Sequence, residues 1–342
     1  MSRKIGIIGG GGFGTAIATL FSAKGFESVI WVNEKEVSSE INNRHANSLF
    51  LPGIELDHGI RATNDLSEAV SGAEMVVGAV PTEWMRSVYT RIEADGLASS
   101  DAVFLSCTKG IERRTLMMVS QVLEEIFPAE MKEKTAFLSG PSFAAEIAGR
   151  HPTVVCVASL SEECARKAAE LVKCEFFRAY ITDDVTGVEL GGALKNIIAI
   201  AAGMATGLGF GYNTLAALIT RGLWEIARLA IKMGANPLTI AGLSGTGDLI
   251  LTCTGELSRN RSVGLRLGRG EKIDQILSGM KSVAEGVFTA QAAVELSRRH
   301  GVEMPITEEV YRIIYEKKDP VAAVKDLMAR ETKKEIDISR GI

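Results

Sequence analysis

A chain of 342 residues, 46% hydrophobic and 23% charged, is long enough for two cores and too apolar to be disordered. Its net charge of -4 provides no basic field for nucleic acid. Five scattered cysteines with no CxxC pair, and four histidines without ligand spacing, point to reduced thiols in a cytoplasmic protein and away from a metal site.

The first apolar run, Ile5-Gly6-Ile7-Ile8, leads straight into Gly9-Gly10-Gly11-Gly12-Phe13-Gly14. Gly9, Gly11 and Gly14 hold the GxGxxG spacing. A helical pattern (Ala16, Ile17, Leu20, Phe21) and a second β-rich run, Val29-Ile30-Trp31-Val32, come next. Strand, glycine turn, helix and strand in this order make the βαβ unit that binds a dinucleotide pyrophosphate. The first glycine allows the tight turn, the second admits the phosphates, and the third lets helix and strand pack closely. The helix N-terminus then offers free N–H groups to the anion. Only four apolar residues separate Lys4 from the glycines, so no secretory signal is expected.

The polar stretch 34–57 is expected to hold a helix and the loop Phe50-Leu51-Pro52-Gly53. Runs at 75–80, 102–106, 136–138 and 153–158 are apolar and β-branched, each separated from the next by a helical pattern. They predict an α/β fold with a Rossmann-like, doubly wound parallel sheet covered on both faces. Ligands of such sheets sit beyond the C-terminal strand ends, an edge shared by the glycine turn, Pro81, Lys109 and Ser142.

From about residue 185 the strand pattern stops. Helices are expected over 187–204, 214–233, 237–243, 256–267, 290–300, 307–315 and 320–329. The predicted division is a dinucleotide-binding domain over 1–185 and an all-α substrate domain over 186–342, with ligands in the cleft between them. The charged terminus 331–342 is expected to fray. The uncharged stretch 197–211 contains four glycines and is shorter than a membrane span, so it reads as a buried helix and turn. So apolar a second domain can also bury the face of a homodimer.

Lys195 is a single cation in the apolar helix Leu190-Gly191-Gly192-Ala193-Leu194-Lys195-Asn196-Ile197-Ile198-Ala199. Desolvation disfavours an ammonium, which makes this lysine a usable acid or base. Asn196 can bond a substrate hydroxyl or a backbone group. Asp248 lies between the turn Ser244-Gly245-Thr246-Gly247 and an apolar run, and a buried carboxylate there needs a partner such as a lysine across the cleft. In Ser258-Arg259-Asn260, a guanidinium flanked by a hydroxyl and an amide suits a phosphate, although Arg261, Arg266 and Arg269 also fit a solvated basic loop. Lys109 follows a sheet strand, and Ser139-Gly140-Pro141-Ser142 offers N–H groups and a hydroxyl.

Taken together, these segments resemble the bacterial NAD(P)-dependent sn-glycerol-3-phosphate dehydrogenase family. The likeness spans nearly the whole chain and is carried by Gly9-x-Gly11-x-x-Gly14-Thr15-Ala16, Asn47-Ser48-Leu49-Phe50-Leu51-Pro52, Val80-Pro81 and Thr108-Lys109-Gly110. It continues through Ser139-Gly140-Pro141-Ser142-Phe143-Ala144, Gly191-Gly192-Ala193-Leu194-Lys195-Asn196, Gly207-x-Gly209-x-Gly211 and Thr220-Arg221-Gly222. Gly247-Asp248-Leu249, Leu251-Thr252-Cys253-Thr254, Ser258-Arg259-Asn260, Val283-Ala284-Glu285-Gly286 and Met304-Pro305-Ile306 complete it.

The resemblance implies reversible reduction of dihydroxyacetone phosphate to sn-glycerol 3-phosphate for phospholipid synthesis. It assigns acid/base catalysis to Lys195 and substrate binding to Lys109, Gly140, Ser142, Lys195, Asp248, Ser258, Arg259 and Asn260. It places the cofactor against Gly12, Phe13, Asn33, Lys109, Ala144, Arg259, Val283 and Glu285, in addition to the motif glycines Gly9, Gly11 and Gly14. Many members carry arginine or histidine where this chain has Asn33, and here Glu34 follows. An acid about twenty residues after the glycines accepts the ribose 2′-OH of NAD, so NAD and NADP both stay open as cofactors. Ketopantoate reductases and hydroxyacid dehydrogenases also set a lysine on a second-domain helix, but Ser258-Arg259-Asn260 and Thr108-Lys109-Gly110 favour a phosphate-bearing ketone. A non-catalytic redox sensor would have no use for such a lysine.

Overall fold

The computed structural model describes residues 3–94, 102–280, 283–332 and 334–335. The terminus expected to fray lies, from 336 on, outside the described residues. The chain divides into two compact units: 1–109 with 119–185, and 110–118 with 186–342. The segment 110–118, which the expected boundary at 185 gives to the first unit, instead packs Ile111, Leu116 and Met118 into the core of the second.

In the first unit the strands are β1 (Lys4–Ile8), β2 (Glu27–Trp31), β3 (Ala46–Asn47), β4 (Leu51–Glu55), β5 (Ile60–Thr63), β6 (Met75–Gly78), β7 (Val103–Ser106), β8 (Thr135–Ser139), β9 (Thr153–Ala158) and β10 (Phe177–Thr182). Its helices are α1 (Gly12–Ala23), α2 (Lys35–Arg44), α3 (Leu66–Val70), α4 (Thr82–Ala94), α5 (Val119–Ile126), α6 (Ala144–Ala148) and α7 (Glu162–Val172). Among the described residues, one sheet runs β10-β9-β8-β7-β6-β1-β2-β5, and β3 pairs with β4 in a separate hairpin. Ile5, Ile7, Ile30, Val77 and Leu105 are wholly buried, as continuous apolar strands covered on both faces require. The strand order reverses at β1, which has β2 on one side and β6 on the other. Ligands of a doubly wound sheet bind at such a point, and the glycine turn leaves β1 there.

One expectation needs correction. The sheet is not parallel throughout: β9 runs antiparallel to β8, pairing Phe137 with Ala158 and Ser139 with Cys156, and β10 follows β9 in parallel. The connection 140–152 holds only the short α6, which packs against α1 instead of crossing the sheet. The chain therefore turns back without the covering helix that a parallel return needs.

The second unit is helical: α8 (Val185–Gly207), α9 (Tyr212–Lys232), α10 (Pro237–Ala241), α11 (Asp248–Thr254), α12 (Arg259–Gly268), α13 (Ile273–Ser278), α14 (Glu285–Arg299), α15 (Pro305–Tyr315) and α16 (Pro320–Met328). The sequence pattern did not announce α11 or α13, and it started α12 early and α14 late. By length and composition α8 could cross a membrane, yet its apolar window is wholly buried inside the fold. A helix that is apolar all round is a core helix when other helices surround it. It meets α12 backbone to backbone: a Cβ on Gly203 would lie 2.0 Å from the Arg261 carbonyl oxygen, and one on Gly264 would lie 1.9 Å from that of Ile200. Only glycine permits that approach. Glu225 of α9 caps α15, accepting the Ile306 N–H at 2.7 Å and the Thr307 N–H and hydroxyl at 3.1 and 3.0 Å. Burial outweighs these bonds and pushes its carboxyl up to about 7.

Candidate active site

In the sheet unit the functional parts are largely main chain. Gly9 turns at φ +117°, a left-handed conformation that favours glycine, and its N–H bonds the Trp31 carbonyl of β2 at 3.1 Å. A Cβ on Gly14 would sit 2.0 Å from the Gly9 oxygen, and one on Gly12 would sit 2.7 Å from the Phe50 oxygen. Gly11 differs: a Cβ there would meet nothing within 4 Å. The fold itself therefore requires glycine at 9, 12 and 14, whereas at 11 it leaves a cradle open. Gly11 is also the N-cap of α1, with no side chain capping the helix and no acidic residue in its first turn. An open cradle at a helix N-terminus fits the pyrophosphate of a dinucleotide. Phe13 lies half-buried on α1, and Ala144 opens α6 beside Gly12. Asn33 stands exposed just past β2, followed by Glu34 at the N-cap of α2.

At the ends of β7 and β8, Lys109 and Ser142 share one acceptor. Lys109 Nζ donates to the Gly140 oxygen at 3.4 Å and Ser142 Oγ donates to it at 2.8 Å. Gly140 holds φ +137°, where a Cβ would press to 3.0 Å of the Val155 Cα. The three residues thus form one cluster of a cation, a hydroxyl and a turn that only glycine makes without strain.

The helical unit works through side chains. Lys195 Nζ lies 2.5 Å from Asp248 Oδ1 and donates to Thr252 Oγ1 at 2.9 Å. Lys195 is 7% exposed and Asp248 is 2% exposed. Burial argues for the neutral amine and the adjacent carboxylate argues for the ammonium, so the lone desolvated cation read from the sequence is one half of an ion pair. Both partners come from the same unit, not from opposite sides of a cleft. A wide π-helical turn, Leu243–Gly247, delivers Asp248 to the start of α11, and such turns often mark functional sites.

Asn196 is occupied too: its Oδ1 accepts from Asn260 Nδ2 at 2.9 Å, while Asn260 Oδ1 accepts the Gly286 N–H at 2.9 Å. Ser258 caps α12 by accepting the Arg261 N–H at 3.2 Å, and Arg259 is the first residue of that helix. Arg259 keeps exposed surface, yet protein crowds its guanidinium: desolvation lowers its pKa and the charge of Glu285 opposes the shift. Arg259 therefore opens a helix and does not sit in a loop. Val283 and Glu285 flank the start of α14, beside the Asn260 bond. Thr252 carried no role in the sequence reading, although its i+4 spacing from Asp248 puts both on one helix face. Burial pushes the thiols of Cys107 and Cys253 up to about 12, so neither is a nucleophile.

A glycine-turn sheet unit, with a helical unit that buries a lysine–aspartate pair, defines the class as a two-domain dinucleotide-dependent dehydrogenase. The family description "NAD-dependent glycerol-3-phosphate dehydrogenase N-terminus" matches residues 4–165, and its C-terminus counterpart matches 184–325. The chain belongs to the NAD-dependent glycerol-3-phosphate dehydrogenase family. It is 50% identical over 335 residues to the glycerol-3-phosphate dehydrogenase [NAD(P)+] of Citrifermentans bemidjiense, covering 98% of this chain and 99% of that one. It is 49% identical over 334 residues to the enzyme of the same name from Syntrophotalea carbinolica, covering 98% and 100%. The crystal structure of glycerol-3-phosphate dehydrogenase from Coxiella burnetii superposes with a TM-score of 0.89 at 36% identity, covering 96% of this chain and 99% of that one.

Proposed function

We infer that this protein is an NAD(P)-dependent sn-glycerol-3-phosphate dehydrogenase. It interconverts dihydroxyacetone phosphate and sn-glycerol 3-phosphate, the glycerol backbone of phospholipids. The observation that carries the reading is the buried Lys195–Asp248–Thr252 cluster on two helices of the second unit. When bound, the nicotinamide supplies or accepts the hydride at the substrate's central carbon. In the reducing direction Lys195 gives its proton to the oxygen that becomes the hydroxyl, and in the oxidising direction it takes that proton back. Asp248 holds the ammonium in place and balances its charge, with Thr252 accepting a second hydrogen bond from it. Arg259, with the N–H groups at the start of α12, the Ser258 hydroxyl and the amide of Asn260, binds the phosphate. In the sheet unit, Lys109 and Ser142, held by Gly140, add positive charge and a donor toward the substrate. Gly9, Gly11, Gly12, Phe13 and Gly14, with Asn33 and Ala144, hold the dinucleotide, and Val283 and Glu285 complete its contacts.

With Asn33 and Glu34 after β2, the chain accepts both NADH and NADPH. We place it in the cytoplasm, where its five free thiols suit a reducing compartment, and as a homodimer, which sedimentation reads as twice the chain mass. The direct test is a steady-state assay of NADH and NADPH oxidation with dihydroxyacetone phosphate. Turnover with ketopantoate and none with dihydroxyacetone phosphate would overturn the assignment.

A further inference from the structure

The hairpin 46–55 carries the motif Asn47-Ser48-Leu49-Phe50-Leu51-Pro52, to which the proposed reaction gives no task. Asn47 is 1% exposed, and every part of its amide is engaged. Its Nδ2 donates to the Gly10 carbonyl at 2.9 Å and to Thr15 Oγ1 at 2.8 Å, and its Oδ1 accepts the Phe50 N–H at 3.2 Å. Thr15 Oγ1 in turn reaches the same Gly10 carbonyl at 3.3 Å. One buried asparagine thus ties the hairpin, the glycine turn and helix α1 together.

A peptide group is planar, with its C=O and N–H pointing in opposite directions. Fixing the Gly10 carbonyl toward Asn47 therefore fixes the Gly11 N–H away from it. Around Gly11 lies the cradle in which an added Cβ would meet no atom within 4 Å. The other end of the turn is already fixed by the bond from the Gly9 N–H to Trp31. Between these two fixed ends the Gly10–Gly11 peptide carries no side chain of its own to set its orientation, and a glycine peptide can adopt several.

We propose that Asn47 is a positioning residue: by holding the Gly10 carbonyl it aims the Gly11 N–H at the pyrophosphate of the dinucleotide. This rests on the dinucleotide reading above and gives the hairpin motif its role. Asn47 itself touches no ligand. Its contribution is to fix the donor in advance, so that binding does not have to order the turn.

The experiment measures affinity of the full-length protein for ADP-ribose, a probe that carries the pyrophosphate and cannot turn over, together with steady-state kinetics. Asn47→Ala is expected to weaken ADP-ribose about tenfold, the equivalent of roughly one hydrogen bond's net worth, while kcat and the KM for dihydroxyacetone phosphate stay near wild type. Asn47→Asp keeps the acceptor for Phe50 but turns an oxygen toward the Gly10 carbonyl, so its loss should be larger. Asn42→Ala serves as the control: Asn42 also makes two backbone bonds, to Ala62 of β5, but none to the glycine turn. A purely structural role for Asn47 lowers the melting temperature in both alanine variants and leaves the Kd of the folded fraction unchanged, which overturns the proposal. If Asn47→Ala does not fold, Asn47→Asp, which keeps the bond from the Phe50 N–H and loses the donor to the Gly10 carbonyl, takes its place, and an unchanged Kd there overturns the proposal equally. Failure of the wild-type protein to bind ADP-ribose strikes instead at the dinucleotide reading.

Discussion

The two units prepare for their ligands in opposite ways. In the sheet unit the proposed dinucleotide cradle is made of peptide N–H donors, and what matters is the absence of side chains around Gly11. Around the amine of the helical unit the groups are side chains, buried and held by one another: Lys195 by Asp248 and Thr252, and Asn196 by Asn260. A main-chain site is damaged by adding atoms, and a side-chain site by removing them. The first is also indifferent to pH, whereas the second is built from charges.

The sharpest way to break this comparison is Lys195→Met. Loss of the general acid should lower kcat about 10²–10⁴-fold while the dinucleotide Kd holds, as read by steady-state kinetics and a binding titration. The variant also leaves Asp248 buried without its cation, at a cost of about 3–5 kcal/mol. Adding Asp248→Asn should restore the melting temperature and not the turnover. A cofactor Kd that moved with kcat would show that the two units are not separate in function.

Glu225 sharpens the contrast from within the helical unit, because there a buried carboxyl is held by main-chain N–H groups. Its folded pKa, about 7, lies above the ordinary glutamate value of 4.5. The protonated form is therefore the one the fold favours, and its contribution is complete below 4.5 and lost as pH rises through about 7. The gap in unfolding free energy between wild type and Glu225→Gln should shift by about 3 kcal/mol against the wild type across that window, measured by denaturant titration at each pH. A gap that stays flat would show that Glu225 titrates alike in the folded and unfolded chains.

Arg259→Ala should raise the KM for dihydroxyacetone phosphate about 10–100-fold, the worth of bonds to a charged group, and an unchanged KM would remove it from the phosphate site. Smaller still is Gly11→Ala, which adds one methyl where no protein atom stands in the way. It should melt like wild type and weaken the dinucleotide about tenfold, whereas Gly14→Ala, forced against the Gly9 oxygen, should lower the melting temperature. Equal melting of the two variants would undo the distinction between glycines the fold requires and the glycine the ligand requires.

What could be read in advance follows the same division. The glycine turn was legible because steric demands fix its spacing, and Lys195 because a lone cation in an apolar helix violates the local pattern. Of the main sheet, the strands that went unread, β5 and β10, are its two edges, where Arg61 and Arg178 interrupt the apolar run, and the expected loop at 50–53 is instead part of the hairpin β3–β4, too short and exposed to show a pattern. The antiparallel turn into β9 was hidden because periodicity reports burial and not direction. Thr252 and Asn47 bond to residues 57 and 32 positions away in sequence, and no local pattern marks such a pairing. The segment 110–118 shows no compositional break, so its membership in the helical unit emerged only from its packing.

The contact between α8 and α12 has a consequence for selectivity. With Gly203 and Gly264 letting the two backbones touch, neither helix can slide or separate without opening a void, so the span from Lys195 to the Ser258–Arg259 turn is a rigid gauge. On the proposed reading, where one substrate oxygen meets the amine and its phosphate meets the guanidinium, homologues longer or shorter by one carbon are expected to show lower kcat/KM in a steady-state assay.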